Sequence, residues 1–455
     1  MACITTMNKI KNFEELAVTP ERKIALAIAE AGLMAIDTRT AVADGVFVND
    51  KMIKFRDHEV ALADVERIFF IGIGKCALDA AAVLEEKLSE RLTSGIVLDV
   101  RLPAARLPNE RGQAQSTAQA GAGALKKIKV HAGTHPLPSE KNVEVTRAII
   151  AMLTGLTERD LVIFVISGGG STLLCQPENF LFSDEAALFE CFAKSGMDII
   201  EENTVRKHLS LARGGYLAKH AYPAQVVSLI FSDVPGGNLE FVASGPTVFD
   251  TTSVADAAAI LEKYFTGMKC GFSAEKLLET PKDPKYFARV KNILFVSNDL
   301  ALAAMAGEAA RHELTSRVCS TCLSGEAREA GRLLAEAIAK EPVGTILLYG
   351  GETTVTVRGA GKGGRNLELA LAALSALGEK EMLVALASDG RDNTDLAGAI
   401  ADTVTKREVT ELGLDPVSFL ADNSSFDFWN KTRSYLLTGH TGSNVADLSF
   451  VIKFK

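Results

Sequence analysis

The chain has 455 residues, more than one ordinary hydrophobic core accommodates, so its length predicts two domains. Hydrophobic residues make up 47% of the chain and charged residues 23%, which is the composition of a globular protein. The formal net charge of −8 argues against a nucleic-acid scaffold, although a local basic cleft could still bind phosphate.

The N-terminal segment and the cysteines predict a cytoplasmic location and no membrane association. The first 16 residues contain no apolar signal-peptide core. No apolar run approaches the roughly 18 residues that a membrane-spanning helix needs. The seven cysteines are scattered and odd in number, which favours a reducing compartment over a disulfide framework. Only Cys319 and Cys322 have CxxC spacing, and buried thiols explain that pair better than a metal or redox site.

Short apolar runs alternate along the chain with longer segments of helical composition. The runs, interpreted as strands, are Ile68–Ile71, Ile96–Val100, Leu161–Ile166, Val226–Phe231, Ile293–Val296, Ile346–Tyr349 and Met382–Ala387. The helical segments are Ala77–Leu92, Thr146–Leu156, Glu185–Ser195, Leu300–His312, Glu326–Lys340 and Asn366–Leu377. Most runs lack polar alternation, as strands covered on both faces do. The alternation predicts an α/β fold with a doubly wound, Rossmann-like parallel sheet.

Two segments interrupt this alternation. The stretch 102–123 is rich in Gln, Ala, Gly and Pro and is interpreted as a surface loop or insertion. The second interruption lies between Gly267 and Pro284, where GMKCGF and TPKDP break the pattern. We therefore predict an N-terminal domain over residues 1–270 and a C-terminal α/β domain over residues 285–455.

Six of the predicted strands end in loops rich in Gly, Asp or Ser. In open α/β sheets, ligands bind beyond the carboxyl ends of the strands, so these loops are candidates for the functional site. They are GIGKCA (Gly72–Ala77), SGGGST (Ser167–Thr172), SDVPGG (Ser232–Gly237), SND (Ser297–Asp299), GGETT (Gly350–Thr354) and SDGRDNTD (Ser388–Asp395).

The loop GIGKCA has two interpretations. It matches the G-x-G-x-x-A dinucleotide fingerprint, with Asp99 near the end of the next strand as a ribose ligand, which favours a dehydrogenase. The alternative is an anion site, because Gly74 precedes Lys75 on a turn at the end of a strand.

The loop SGGGST is more specific for an anion. Gly168, Gly169 and Gly170 let the backbone approach a ligand closely, and their N–H groups can form an anion-binding nest beside Ser167. Ser171 and Thr172 would add hydroxyl donors.

A cationic face follows in EENTVRKHLSLARGG, Glu201–Gly215. In a helix, Asn203, Lys207 and Ser210 share one face, and Arg206 lies beside it. Such a face either binds an anion or is solvated.

The segment Gly350–Leu374 carries Glu352 in a strand-end loop, then a Gly-rich loop with Lys362 and Arg365 that leads into an amphipathic helix. Cations and free N–H groups at a helix N-terminus form a polyphosphate site. The glycine spacing is not that of a Walker A loop.

The Asp-rich loop near residue 390 suggests a metal. Asp389, Asp392 and Asp395 could hold Mg²⁺ near a phosphate site. Asp and Asn also favour turns without any metal.

These blocks, together with NTVRKHLSLARGG, SDVPGGNLEFVASGPT and the closing TGHTGSNVADL, resemble the class II glycerate kinases, the glycerate 2-kinases whose C-terminal domain is called MOFRL. The resemblance covers nearly the whole chain. It implies two α/β domains with the active site in the interdomain cleft. It also implies transfer of the ATP γ-phosphoryl group to the 2-hydroxyl of D-glycerate, with Mg²⁺ as cofactor.

The resemblance also implies roles for particular residues. Lys75 and Arg365 match the catalytic cations of the family. Asp233 or Asp389 would orient the hydroxyl or bind magnesium. The other predicted substrate- and phosphate-binding residues are Gly74, Ser167, Gly168, Gly169, Gly170, Ser171, Asn203, Arg206, Lys207, Glu352 and Lys362.

The chain departs from the usual family pattern at Gly237, Asn393 and His440, which bears on substrate detail and metal geometry. Two other functions stay open at this point. One is an NAD(P)H-dependent hydroxypyruvate reductase, which the dinucleotide fingerprint favours. The other is a non-catalytic phosphosugar-binding module. A homo-oligomer is compatible with either of these and with a kinase.

Overall fold

The structure is a computed structural model, and it describes residues 8–101, 125–234, 236–265 and 272–455. The predicted loop 102–123 lies outside the described residues. The described helices are α1 (Phe13–Leu16), α2 (Pro20–Ala35), α3 (Thr38–Gly45), α4 (Ala77–Leu88), α5 (Glu140–Leu153), α6 (Gly170–Leu173), α7 (Phe182–Ser195), α8 (Ile199–Lys207), α9 (Tyr216–Ala221), α10 (Val254–Phe265), α11 (Asn298–Arg311), α12 (Ala327–Ala339), α13 (Arg365–Leu374), α14 (Thr403–Leu412), α15 (Pro416–Ala421) and α16 (Ser425–Thr432). None of these helices is long and apolar enough to cross a membrane.

The strands belong to three sheets. They are β1 (Val46–Val48), β2 (Met52–Phe55), β3 (His58–Ala61), β4 (Arg67–Ile73), β5 (Leu92–Asp99), β6 (Ile128–Ala132), β7 (Asp160–Ile166), β8 (Gln225–Phe231), β9 (Val290–Val296), β10 (Thr315–Leu323), β11 (Thr345–Gly351), β12 (Glu381–Ala387), β13 (Gly398–Ala401), β14 (Tyr435–Leu436) and β15 (Asp447–Lys453). Each of the seven predicted apolar runs falls on one of these strands, namely β4, β5, β7, β8, β9, β11 and β12.

Contacts divide the chain into two units. The first, here called the parallel-sheet unit, comprises Ala41–Ser232 and Asn238–Phe295. The second, here called the mixed-sheet unit, comprises the described residues up to Thr40, those of Asp233–Gly237, and Val296–Lys455.

The parallel-sheet unit is built on a six-stranded sheet with the order β6-β5-β4-β7-β8-β9. The pairs β5–β6, β4–β5, β4–β7 and β7–β8 are all parallel. Every residue of β7 is buried, because helices cover both faces of such a sheet and the strand therefore reads as a continuous apolar run. The predicted doubly wound parallel sheet is confirmed. A small antiparallel sheet, β1-β2-β3, belongs to the same unit.

The mixed-sheet unit has a six-stranded sheet with the order β10-β11-β15-β12-β13-β14. The strand β15 lies antiparallel between β11 and β12, at the centre of the sheet. It therefore buries almost all of its residues and carries Asp447 at its first position. The predicted second α/β domain is confirmed.

The N-terminal helix α2 belongs to the mixed-sheet unit although it comes first in the chain. Arg22 forms a bidentate ion pair with Asp402, at 2.7 and 2.8 Å, and both side chains are almost fully buried. Gly32 lets α2 approach α11 so closely that an added Cβ would lie 2.8 Å from Met305 Cγ. These contacts group α2 with residues beyond 295, whereas the predicted division into 1–270 and 285–455 follows chain order.

The expectation of buried thiols at Cys319 and Cys322 is wrong, since both residues are exposed. The reason is the position of β10 at the edge of the mixed sheet, where none of the described strands pairs with one side of it. An apolar-looking segment at an edge cannot be told from a central one by composition alone.

Candidate active site

The first two strand-end loops of the parallel-sheet unit are joined to each other. Gly74 has a φ of +104°, and an added Cβ there would lie 2.3 Å from Ser167 Oγ. The Lys75 N–H donates to Gly168 O at 3.1 Å, and the Cys76 N–H donates to Ser167 Oγ at 3.3 Å. Ser167 in turn donates to Ile73 O at 3.2 Å. The close packing of Gly74 against Ser167 and the hydrogen bonds of Ser167 thus fix the position of the turn that carries Lys75.

Replacing Gly74 by alanine is expected to destabilise the fold by about 2–4 kcal/mol, because strain at positive φ adds to a clash with the Ser167 backbone. The matched control is Gly155→Ala, at φ +79° with no atom within 4 Å of the added Cβ, which should cost only about 1 kcal/mol. Urea unfolding measures both. Equal losses of unfolding free energy in the two variants would show that the contact between Gly74 and Ser167 leaves room for a side chain.

The Lys75 side chain is exposed, and its ammonium group makes no hydrogen bond or ion pair within the described residues. It lies beside Gly169, where an added Cβ would be 3.5 Å from Lys75 Cε and 3.4 Å from His135 Cδ2. Gly169 has a φ of +85°, which favours glycine. The N–H groups of Gly168 and Gly169 donate to no acceptor in the part of the chain described. These groups can accept a negatively charged ligand.

Sequence reasoning missed His135. Its pKa is lowered by partial desolvation, and then by the positive charges of Lys75 and Arg206. The imidazole is therefore neutral near pH 7 and can accept a proton. The signal for it was the segment THPLPS after β6, which carries a histidine at the end of a strand of the parallel sheet.

Asp99, the residue that favoured a dehydrogenase, has its carboxylate oxygens hydrogen-bonded within the protein. Oδ2 accepts from the Leu78 N–H at 3.1 Å, in the first turn of α4, and Oδ1 accepts from the Arg101 N–H at 3.0 Å. Arg101 also donates to Lys75 O at 2.6 Å. The first turn of α4 is where a dinucleotide pyrophosphate would bind, so an internal carboxylate there weakens that interpretation.

Gly170 and Ser171 pack against residues 242–246 (VASGP), which lie in the block SDVPGGNLEFVASGPT but were not among the predicted site residues. An added Cβ at Gly170 would lie 2.5 Å from Ala243 Cβ. Ala243 and Ser244 both have left-handed φ values, +53° and +56°, a strained conformation that is typical of functional sites. Ser244 Oγ lies 2.9 Å from Ser171 Oγ.

Thr172, expected to donate to an anion, donates instead to Pro136 O at 3.1 Å. Its hydroxyl group is therefore part of the scaffold.

The polar face predicted on α8 is mostly buried and paired. Lys207 lies 2.6 Å from Glu240 and 3.1 Å from Asp250, and its side chain is 1% exposed. This lysine is therefore held in an internal ion-pair network.

Asn203 and Arg206, also on α8, differ in their surroundings. Asn203 is buried and contacts Ser244. Arg206 pairs with Glu202 and lies over the ring of Phe189, 4.3 Å from its centroid. Asp233 is the second residue after the end of β8 and is half-buried.

In the mixed-sheet unit, Arg365 is the first residue of α13 and lies between two carboxylates. Its Nε is 2.5 Å from Asp447 Oδ2, and its Nη1 is 2.6 Å from Glu352 Oε1. Burial lowers the pKa of Arg365, but the hydrogen bond and charge of Asp447 outweigh this and raise it above the ordinary value. About a third of the Arg365 side chain stays exposed (34%), so it can also meet a ligand.

Two N–H groups at the start of α13, those of Asn366 and Leu367, are not free, contrary to the sequence expectation. Asp392 Oδ1 accepts from the Asn366 N–H at 3.1 Å, and Oδ2 accepts from the Leu367 N–H at 2.7 Å. Asp392 thereby stabilises the helix N-terminus, as a capping carboxylate does. Any phosphate binding in this loop would rest on Arg365 and Lys362. Lys362 is exposed, with its ammonium group 4.5 Å from the Phe426 ring centroid.

The three predicted magnesium ligands are in different environments. Asp392 is buried at α13, Asp395 is exposed and 3.9 Å from Arg391, and Asp389 accepts from the Arg391 N–H at 3.0 Å. Among the described residues, no group of three or more His, Cys, Asp or Glu side chains is arranged to hold a metal ion. Mg²⁺ commonly needs only one or two carboxylates together with substrate phosphates and water.

Asn393 shows why one departure from the family pattern is tolerated. Its φ is +55°, and its side chain donates to Gly363 O at 3.0 Å. Glycine adopts this left-handed conformation without strain, and asparagine is among the few other residues that adopt it readily.

The fold and the strand-end loops define a two-unit α/β protein whose loops carry exposed cations. The chain matches a domain of unknown function, DUF4147, over residues 24–279, and the MOFRL family over residues 345–447. The chain belongs to the glycerate kinase family.

Three similar proteins match most of the chain, and two of them are glycerate kinases. Glycerate 2-kinase of Pyrococcus horikoshii is 35% identical, over 95% of this chain and 97% of that protein. A crystal structure of glycerate kinase from Thermotoga maritima superposes with a TM-score of 0.81 at 32% identity, covering 95% of this chain and 99% of the other. A putative hydroxypyruvate reductase of Agrobacterium vitis is 34% identical, over 85% of this chain and 87% of that protein.

Proposed function

We propose that this chain transfers the γ-phosphoryl group of ATP to the 2-hydroxyl of D-glycerate, giving 2-phosphoglycerate and ADP, with Mg²⁺ as cofactor. The observation that carries the proposal is Lys75, an exposed cation held on a hydrogen-bonded turn beside two N–H groups that have no acceptor among the described residues. Phosphoryl transfer depends on positioning and charge neutralisation, which such a turn provides, and hydride transfer would not need it.

Lys75 and Arg365 are the proposed catalytic cations, and each neutralises charge on the phosphoryl group as it moves. The 2-hydroxyl oxygen forms a bond to the γ-phosphorus, while the bond from that phosphorus to the bridging oxygen of ADP breaks. Asp389 or Asp395 would hold Mg²⁺ together with the nucleotide phosphates, since both oxygens of Asp392 serve α13.

His135 is the proposed acceptor of the 2-hydroxyl proton, because it is neutral and lies beside Gly169 and Lys75. His135→Gln should lower kcat about 10²- to 10⁴-fold. The charges that face the imidazole, those of Lys75 and Arg206, both lower its pKa. In the wild type, kcat should therefore fall on acidification, with a midpoint below the ordinary histidine pKa of about 6.5. This decrease of kcat at low pH should be absent in His135→Gln. An unchanged decrease in the variant would exclude His135 as the base.

One assay tests the proposed reaction. The purified chain is incubated with D-glycerate and Mg-ATP, and the product is converted by enolase either alone or with a phosphoglycerate mutase. Signal with enolase alone identifies 2-phosphoglycerate. Omission of Mg²⁺ from the kinase step, with Mg²⁺ restored for enolase only after the kinase has been inactivated, should abolish it. A parallel incubation with NADH and hydroxypyruvate tests the reductase. Absence of any phosphorylated hydroxy acid would overturn the proposal.

A further inference from the structure

The guanidinium of Arg365 has one edge that faces a buried carboxylate and one edge that is accessible. Nε and Nη2 donate to Asp447 at 2.5 and 3.2 Å, and the Asp447 side chain is 8% exposed. An arginine has five N–H groups, so three remain, including both on Nη1. Glu352 Oε1 lies 2.6 Å from Nη1. The accessible edge of Arg365 therefore already carries a carboxylate where the proposed function requires a phosphate.

The backbone of Glu352 is fixed, whereas its side chain is accessible. The Glu352 N–H donates to Leu323 O at 2.7 Å, at the end of β10. The preceding residue, Gly351, has a φ of +147°, and an added Cβ there would lie 2.2 Å from Leu323 N. The Glu352 side chain is 45% exposed, and Arg365 is the only charged group that its carboxylate pairs with among the described residues. The carboxylate can therefore turn away from Arg365 without breaking another ion pair.

The charges around Arg365 determine how an incoming anion is received. Arg365 contributes one positive charge, whereas Asp447 and Glu352 contribute two negative charges when both are ionised, which leaves one negative charge in excess. A nucleotide without a metal ion brings further negative charge, and at short range Glu352 repels it. Mg²⁺ bound to the phosphates reverses this interaction, because carboxylate oxygens are attracted to the cation.

We infer that Glu352 determines the specificity for the form of the nucleotide: its carboxylate, held on the accessible edge of Arg365, repels the metal-free nucleotide and favours the magnesium complex. The inference rests on the proposed function for the nucleotide and for the role of Arg365. It gives Glu352 an effect on phosphate binding opposite to that of a phosphate-binding residue.

The test is calorimetric binding of ADP to the wild type and to Glu352→Gln, once with excess Mg²⁺ and once with EDTA. Measurements at pH 8 favour the ionised form of Asp447, since burial raises its pKa to about 7. Glu352→Gln removes the charge at nearly constant volume. The variant should bind metal-free ADP about 5- to 10-fold more tightly than the wild type, which is the effect of one unit charge near the protein surface. Its Kd for Mg-ADP should not fall.

The matched control is Glu341→Gln. Glu341 also lies 2.6 Å from an arginine of the mixed-sheet unit, Arg317, and its substitution changes the net charge of the protein by the same amount. Both Kd values should equal those of the wild type. Thermal unfolding checks that the variants fold, and little loss is expected because exposed ion pairs contribute little to stability.

A second variant, Glu352→Asp, separates the charge of Glu352 from its shape. It keeps the negative charge on a shorter side chain, so it should keep most of the wild-type preference for Mg-ADP over metal-free ADP. A loss of this preference as large as that in Glu352→Gln would overturn the inference, because the charge would not be its cause.

Two results in Glu352→Gln would also contradict the inference. One is an unchanged ratio of the two Kd values, which is expected if Glu352 only shapes the loop, and the other is weaker binding of metal-free ADP. The proposed function fails separately, through absence of phosphorylation by the wild type, and the binding comparison then still decides the inference. A wild type that binds ADP neither with Mg²⁺ nor without it would exclude the role of Glu352.

Discussion

Arg365→Ala is expected to lower kcat about 10²- to 10³-fold and to destabilise the mixed-sheet unit at the same time. The kinetic loss arises because a guanidinium stabilises charge on the moving phosphoryl group. The unfolding free energy falls because the buried Asp447 carboxylate is left without its partner. We expect a loss of about 2 kcal/mol, since the arginine of this pair is partly exposed. Steady-state kinetics and urea unfolding measure the two effects.

The double variant Arg365→Ala/Asp447→Asn separates these effects. Removing the stranded charge should restore most of the free energy of unfolding, because no unpaired buried anion is left. The kcat should stay at the level of the single variant. Recovery of activity along with stability would show that Arg365 acts through the fold and is not a catalytic cation.

Lys75→Ala is expected to lower kcat by a similar factor, about 10²- to 10³-fold, without a change in Tm. The physical reason is the exposure of the side chain, whose ammonium group has no partner in the described part of the chain, while the backbone N–H that holds the turn is kept. The control is Lys129→Ala, an exposed lysine on β6 of the same unit, which should retain full activity.

Normal turnover in Lys75→Ala with an unchanged fold would exclude Lys75 as a catalytic cation. A loss confined to KM, with kcat intact, would instead make Lys75 a group that binds the ground state and the transition state equally. The two outcomes are distinguished by measuring kcat and KM for each substrate while the other substrate is saturating.

The contrast between Lys75 and Lys207 shows how far sequence reasoning reaches. Both lysines were predicted to bind an anion, and their local sequences do not separate them. Lys207 is paired with Glu240 and Asp250, which are 33 and 43 residues away in the chain, whereas Lys75 is exposed. Residues this far apart in the chain are brought together only by tertiary packing. The burial and ion pairing of Lys207 could therefore not be predicted from its local motif.

The same limit applies to Asp392 and His135. Clustered aspartates predicted a metal site, but the position of Asp392 beneath α13 makes it a helix cap. His135 lies on a loop far from SGGGST in sequence and reaches Gly169 because β6 and β7 belong to one sheet. Neither outcome depends on local composition.

By itself, the sequence determined the α/β class, the seven apolar strands, the strand-end loops and the family, because these follow from local periodicity and from long ordered motifs. Only the tertiary structure decided the central antiparallel place of β15, the pairing of Lys207 and the capping of α13 by Asp392. These features depend on groups that lie far apart in the chain. Desolvation and ion pairing, set by packing, then decide which charges are left to meet a ligand.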